Sequence, residues 1–371
     1  MALVPARPVA RCLALVAFLS LGCTRKPAEP QEETLAGLAA GWNKIPGPHG
    51  TGCSHDSSYA FYVKPGRSDQ VTIYFQGGGG CWNNGTCGLD GQATFDAQVD
   101  STDAPANFGG ILDLANPANP LRDHSIVFVP YCTADVFLGT HTVAYSAPAT
   151  AGNPERSLQI QHWGRADADS VMNWVFTHFR APALVFVTGS SAGAIPSPLY
   201  ASRVAQHYPQ ARVVQLGDAA GGYRAKAITG ILAGWGATSS LLTDSSYRGV
   251  DSATFNLETL YIVASRATPR VTFSQYNNAE DAIQLAFLHL LGVDGKLPPL
   301  LAANLADIRR VNPRFRSYTS PGDIHTILLR PEFYTLTVDS ISFRDWVAGL
   351  LDGTEVKDIG ESLLTRAPAG Q

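Results

Sequence analysis

Charge is scarce in this sequence, and positive charge is not in excess. Only 16% of its 371 residues are charged, and 27 lysines and arginines stand against 31 aspartates and glutamates, which gives a net charge of −4. No basic surface is therefore available for a phosphate backbone, and nucleic acid is excluded as the main partner. A mean hydropathy near zero excludes a protein with several membrane spans. The hydrophobic fraction of 45% is typical of a folded globular chain.

The start of the sequence has an apolar run that is too short to span a membrane. Two arginines precede or flank the uncharged residues 12–22, and this run has the length of a signal-peptide core. The residues before Cys23 resemble the cleavage site of a bacterial lipoprotein. We therefore predict a signal peptide over residues 1–22, followed either by lipidation of Cys23, which would tether the protein to a membrane, or by plain secretion. Residues 23–39 are predicted to be a polar tether, and residues 40–371 a single domain.

The sequence contains no Cys-x-x-Cys pair, which argues against a metal site. Four cysteines follow the predicted tether: Cys53, Cys81, Cys87 and Cys132. In an oxidising compartment an even set of cysteines indicates disulfides, and four cysteines allow three pairings. The short loop between Cys81 and Cys87 favours a local bridge, which would leave Cys53 to pair with Cys132. Four unpaired thiols are the alternative.

Short apolar runs alternate with helical patterns along the predicted domain. The apolar runs predict strands over residues 71–75, 125–130, 183–188, 213–216 and 270–274. Helical spacing of apolar residues predicts helices over 167–179, 199–207, 281–291 and 343–351. This alternation predicts an α/β fold with a mostly parallel sheet and helices on both faces. Residues 221–258 are rich in glycine, serine and threonine, and we expect an irregular cap or lid there.

A Gly-x-Ser-x-Gly motif centred on Ser191 lies between a predicted strand and a predicted helix. In a nucleophile elbow the serine occupies a strained turn, and side chains two positions before and after it would clash. Gly189 and Gly193 meet that need, and the helix that follows directs its amides at a developing oxyanion. Ser191 is the predicted nucleophile, while Ser190 is not midway between the glycines. A structural Gly-Ser turn is the alternative.

Four consecutive glycines, residues 77–80, follow the strand predicted at 71–75. In an α/β-hydrolase the loop after the third strand donates a backbone N–H to the oxyanion, and the residue after the nucleophile donates another. We therefore predict an oxyanion loop here. A phosphate cradle is disfavoured because the Lys-Ser/Thr of a P-loop is missing, and a flexible turn is the other alternative.

A base and an acid should follow the nucleophile in the order Ser, Asp or Glu, His. His325 lies in a loop after the last strand-like run and is the predicted base, whereas His289 lies on a predicted helix. Asp281 follows the strand predicted at 270–274, which is the usual place of the acid. Three further acidic residues are alternatives: Asp218, Glu280 and Asp323.

Taken together, these motifs resemble the pectin acetylesterase/Notum family of secreted α/β-hydrolases, in its bacterial form. The matching stretches are residues 52–54, 75–82 with Cys87, 129–139, 189–193, 218–221, 275–284 and 322–334. The resemblance implies Ser191 as nucleophile, Asp281 as acid and His325 as base. It also implies oxyanion amides at Gly78, Gly79 and Ala192, the disulfides Cys53–Cys132 and Cys81–Cys87, and an α/β-hydrolase-like fold.

These features predict an exported serine carboxylesterase that needs no metal or cofactor. Acetylated polysaccharide is the first predicted substrate, and a lipid or short-chain acyl ester is the second. We expect a monomer. A surface binding module with a catalytically dead hydrolase fold is the alternative from a different class of protein.

Overall fold

Strands and helices alternate along the chain of this computed structural model, which describes residues 2, 35, 37–149 and 154–365. Within these ranges the strands are β1 (Asn43–Pro46), β2 (Ala60–Lys64), β3 (Arg67–Phe75), β4 (His124–Val129), β5 (His141–Ala147), β6 (Arg156–His162), β7 (Leu184–Ser190), β8 (Arg212–Asp218), β9 (Thr272–Asn278), β10 (Arg316–Ser320), β11 (Thr337–Val338) and β12 (Ile341–Ser342). The helices there are α1 (Gly164–His178), α2 (Ser197–His207), α3 (Ala227–Gly234), α4 (Ala237–Leu241), α5 (Leu257–Ala267), α6 (Ala282–Leu290), α7 (Leu297–Val311), α8 (Phe343–Asp352) and α9 (Ser362–Thr365).

Cys23 and nearly all of the predicted signal peptide and tether lie outside the described residues. Residues 34–371 form one compact unit, to which everything below refers. Among the helices of the described residues, none combines the length and the apolar character that crossing a bilayer requires.

The main sheet of the described residues has eight strands in the order β1-β2-β4-β3-β7-β8-β9-β10. The strands from β4 to β10 in this order pair in parallel, whereas β2 is antiparallel to both of its neighbours. Two short hairpins, β5–β6 and β11–β12, lie outside this sheet. The predicted α/β-hydrolase-like fold with a mostly parallel sheet is therefore confirmed.

Side chains that alternate along β3 explain why both faces of the sheet are covered. Val71, Ile73 and Phe75 point to one face, where they join a core that includes α1, α2, α5 and α7. Tyr74 points to the opposite face and joins a second core with Trp346 of α8. Because a strand covered on both faces buries successive residues, it appears in the sequence as a continuous apolar run.

Each predicted strand and helix overlaps a strand or helix of the structure. The five predicted strands correspond to β3, β4, β7, β8 and β9, and the four predicted helices to α1, α2, α6 and α8. Residues 221–258 were expected to be irregular, but they contain α3 and α4, so that part of the prediction is wrong. Their role as a lid stays a prediction.

Candidate active site

Ser191 occupies a strained turn directly after β7. Its φ angle is 53°, in the left-handed region that residues other than glycine rarely adopt. A Cβ atom on Gly189 would lie 2.6 Å from the carbonyl oxygen of Phe75, and one on Gly193 would overlap the same oxygen. The two glycines of the motif are therefore required by the close approach of β3, as a nucleophile elbow demands.

The neighbouring Ser190 is occupied by a structural network. Its hydroxyl donates to the Asp218 carboxylate at 2.6 Å and accepts a hydrogen bond from the Tyr74 hydroxyl at 2.7 Å. Ser191, by contrast, lines a cavity together with Ala192 and Gly79. Of the two serines, Ser191 is the one that faces a space in which a substrate could bind.

Asp281 and His325 are in direct contact although 44 positions separate them. Nδ1 of His325 lies 2.8 and 3.0 Å from the two carboxylate oxygens of Asp281, which is fully buried. The carboxylate also accepts hydrogen bonds from the backbone N–H groups of Ile283 and Gln284 and thereby caps α6. These bonds fix the orientation of the carboxylate, and the carboxylate fixes the imidazole.

The other imidazole nitrogen of His325, Nε2, is buried and has no hydrogen-bond partner among the described residues. Ser191 is therefore not hydrogen-bonded to it in this structure. The loop of His325 is linked to the elbow through Asp218, whose carboxylate accepts hydrogen bonds both from the Ser190 hydroxyl and from the backbone N–H of Ile327.

The side chains of the alternative acids and of the alternative base are not hydrogen-bonded to Asp281 or His325 among the described residues. Asp218 bonds to no imidazole, and its burial raises the pKa of its carboxyl group above the ordinary value. Glu280 and Asp323 are exposed. His289 is also exposed on α6, and it pairs with Asp294 at 2.7 Å. The structure thus hydrogen-bonds the imidazole of His325 to Asp281, and among the described residues to none of these four side chains.

The glycine loop, residues 77–80, packs against the elbow, which is the turn formed by residues 189–193. A Cβ atom on Gly77 would lie 2.6 Å from the Ser190 carbonyl oxygen, and Gly79 has a φ angle of 78°, which suits glycine. The backbone N–H groups of Gly78 and Gly79 donate to no acceptor among the described residues. They are therefore available to a ligand, as oxyanion donors must be.

Two tyrosines that contact this site were not predicted from the sequence. The Tyr131 hydroxyl donates to the Gly79 carbonyl at 3.1 Å and accepts from the Val136 N–H at 2.8 Å, so it supports the glycine loop. Tyr223 lines the cavity beside Ser191, and burial raises the pKa of its hydroxyl. The signal available for Tyr131 was its place in residues 129–139, one of the stretches that carry the family resemblance; no such signal was recognised for Tyr223.

Both predicted disulfides are present, and one supports the cavity wall. Cys53 is bonded to Cys132 and Cys81 to Cys87. The carbonyl of Cys81 accepts a hydrogen bond from the Trp235 indole at 2.8 Å, which joins this bridge to the segment 221–258.

The cavity in front of Ser191 has a volume of about 60 Å³ and an almost wholly apolar lining. Six of its lining side chains come from residues 221–258, and the others come from the glycine loop and the residue that follows it closely, from the segment after β4, from the elbow and just after it, and from α6 and its end. The lining side chains other than Ser191 and Ala192 include Trp82, Val136, Ile195, Tyr223, Ile228, Ile231, Leu232, Trp235, Leu257, Phe287 and Leu291.

An elbow serine facing a glycine loop, on a sheet of this order, defines an α/β-hydrolase. The chain belongs to the pectinacetylesterase family, which it matches over residues 44–230. The predicted family is thereby confirmed, and its name is that of a carboxylic ester hydrolase, the class of enzyme that the sequence predicts. Because the matched range ends before Asp281 and His325, it does not itself assign the acid or the base.

The chain is also similar to the palmitoleoyl-protein carboxylesterase NOTUM of Schmidtea mediterranea. The two are 26% identical over 159 residues, which are 41% of this chain and 28% of that protein. The chain thus matches less than a third of the length of this relative.

Proposed function

We propose that this protein is a serine carboxylesterase that removes short O-acyl groups, acetyl first, from an acylated polysaccharide. The observation that carries the proposal is the environment of His325. One imidazole nitrogen is held by the buried carboxylate of Asp281, and the other is buried and has no hydrogen-bond partner in the described part of the chain. An imidazole oriented in this way can act as a general base, because its second nitrogen can accept a proton.

In the proposed mechanism the Ser191 hydroxyl attacks the ester carbonyl while His325 Nε2 takes its proton. Asp281 holds the other imidazole nitrogen and stabilises the imidazolium. The amides of Gly78, Gly79 and Ala192 bind the oxyanion, and each such donor supplies about 3–4 kcal/mol of transition-state stabilisation. The alcohol leaves with the proton from His325, and water then hydrolyses the acyl-enzyme by the same steps.

The size of the cavity supports a short acyl group. A water molecule needs roughly 10–15 Å³ of such volume, so the cavity of about 60 Å³ holds only a few chain atoms. Acyl groups of about two to six carbons fit this space. Its apolar lining supports a second candidate, a longer acyl chain like that named for the similar carboxylesterase. A long chain would require the segment 221–258 to move.

A series of p-nitrophenyl esters of increasing chain length, with acetylated pectin and xylan alongside, tests this proposal. We expect kcat/KM to be highest for the short acyl groups and to fall at least about tenfold beyond eight carbons, because overpacking the cavity is costly. Acetate should be released from at least one polysaccharide. An optimum at the longest chains would instead support the second candidate.

Matched variants test the roles of the residues. His325→Ala and Ser191→Ala should abolish hydrolysis, whereas His289→Ala, which removes an exposed histidine, should leave it unchanged. A fluorophosphonate probe should label the wild type and not Ser191→Ala. If the folded wild type were neither labelled nor active on any ester, the dead binding module would be the better interpretation.

Export of the protein forms part of the proposal. Two disulfides are typical of proteins in an oxidising compartment, which supports an extracellular or envelope location. Lipidation of Cys23 is tested by metabolic labelling with palmitate, with Cys23→Ser as the control. Label on the control as well, or on neither protein, would contradict lipidation at that cysteine.

A further inference from the structure

Asp218 links the elbow to the loop that carries the proposed base. It is the last residue of β8 and is fully buried. Its carboxylate accepts hydrogen bonds from the Ser190 hydroxyl at 2.6 Å, from the Leu328 N–H at 3.0 Å and from the Ile327 N–H at 3.0 and 3.1 Å. The first partner immediately precedes Ser191, and the others follow His325 by two and three positions.

The loop of His325 has no regular secondary structure of its own to hold it in place. Thr326 has a φ angle of 59°, an unfavourable conformation that persists only where the surroundings impose it. On the other side of the imidazole, the Asn278 side chain donates to the Ile324 carbonyl. The loop is therefore hydrogen-bonded both before His325, by Asn278, and after it, by Asp218. Of these two residues, Asp218 also contacts the elbow, through Ser190.

The presence of a buried carboxylate at this point needs a physical reason. Burying a charged group without an opposite charge is unfavourable, and the structure places no lysine or arginine against Asp218 among its bonded partners. A carboxylate can, however, accept from several N–H and O–H donors at once, which a neutral side chain of the same size cannot do. Here it joins the elbow to the loop of His325. The separation of these two segments determines whether a proton can pass from Ser191 to His325.

We propose that Asp218 is a positioning residue, which sets the distance between Ser191 and His325 by tying the His325 loop to Ser190. This inference rests on the proposed function, since the distance matters only if these two residues exchange a proton. The bonded partners of Asp218 do not include the imidazole, and Asp218 does not line the cavity, so it does not act on the substrate itself.

The test compares Asp218→Asn with Thr188→Val in the full chain. An amide replaces one acceptor oxygen by a donor that faces the loop N–H groups, so the tie should loosen. Thr188 is the matched control, because its hydroxyl also joins β7 to β8, by a bond to the Leu216 carbonyl at 2.6 Å, but does not reach the loop. We expect Asp218→Asn to lower kcat roughly 10- to 100-fold with KM within twofold, and Thr188→Val to leave both unchanged.

Two further readouts separate positioning from loss of folded protein. Fluorophosphonate should still label Asp218→Asn to one group per chain, only more slowly, and the amides of Ile327 and Leu328 should exchange with deuterium at least about tenfold faster than in the wild type. A lower labelling stoichiometry with an unchanged kcat per labelled site would overturn the proposal, as would unchanged exchange in that loop. A wild type that never reacts with the probe would overturn the proposed function instead, while the exchange rates still report whether the tie exists.

Discussion

Replacing Asp281 by asparagine should separate catalysis from stability. In the wild type the carboxylate accepts a hydrogen bond from Nδ1 of His325 at 2.8 Å, so Nδ1 carries the proton and Nε2 is free to accept one. An asparagine amide would donate to Nδ1 instead. The proton would then reside on Nε2, and the imidazole could not act as a base toward Ser191.

The expected loss of activity is large. Inverting the tautomer in a serine triad lowers kcat by about 10⁴, which corresponds to about 5.4 kcal/mol at about 1.36 kcal/mol per tenfold. The expected loss of stability is small. Asparagine caps a helix about as well as aspartate, so the bonds to Ile283 and Gln284 N–H persist, and only the bond from the Gln284 side chain, worth about 1 kcal/mol, is lost.

Steady-state hydrolysis of p-nitrophenyl acetate and urea unfolding measure the two quantities on the same preparation. Glu280→Gln, which changes the exposed neighbouring carboxylate, is the control and should retain full activity. If Asp281→Asn kept kcat within tenfold of the wild type, the acid would have to be another residue. A loss of several kcal/mol of stability would show that the reasoning about the helix cap is wrong.

Three other predictions concern the surroundings of the site. Tyr131→Phe removes the bond to the Gly79 carbonyl, and we expect kcat on acetyl esters to fall roughly tenfold at unchanged KM, because the oxyanion donors lose their support. Burial lowers the pKa of His124 from 6.5 to about 4, so between these values the unfolded chain binds a proton that the folded protein does not. The free energy of unfolding should therefore decrease as the pH is lowered through that window, by up to about 1.4 kcal/mol per pH unit. His124→Gln should reduce this dependence of the free energy of unfolding on pH, measured by urea unfolding between pH 7 and pH 4. Replacing Cys53 and Cys132 together by serine opens a link between residues 79 positions apart; we expect a loss of about 4–5 kcal/mol, measured by the urea midpoint under non-reducing conditions.

Local chemistry could be predicted from the sequence where one short segment decides it. The elbow is such a case, because the strand, the serine and the two glycines lie within a dozen residues. Strand β10 is the opposite case. Its sequence, Arg-Ser-Tyr-Thr-Ser, has no apolar run, yet four of its five residues are buried. The hydroxyls of three of them have hydrogen-bond partners, as Ser320 has in Tyr276 at 2.8 Å, and such partners cannot be recognised in a single segment of sequence.

The choice between Asp218 and Asp281 illustrates the same limit. Both aspartates lie at or just beyond the end of a parallel strand, so the order of the chain allows either as the acid. The loop of His325 contacts both carboxylates in different ways: its imidazole is bonded to Asp281, while the backbone that follows the histidine is bonded to Asp218. Only the three-dimensional path of residues 321–330 distinguishes the two carboxylates, and no local pattern encodes that path.

The cavity and the reacting groups come from different parts of the chain. One wall of the cavity comes from residues 221–258 and consists of Ile228, Ile231, Leu232 and Trp235. Ser191 and the glycine loop instead follow the carboxyl ends of the central strands β7 and β3. Changes in this wall would alter the acyl group that fits without moving the elbow. The size of the acyl group and the chemistry that removes it are therefore separable in this fold, and similarity at the elbow alone does not identify the substrate.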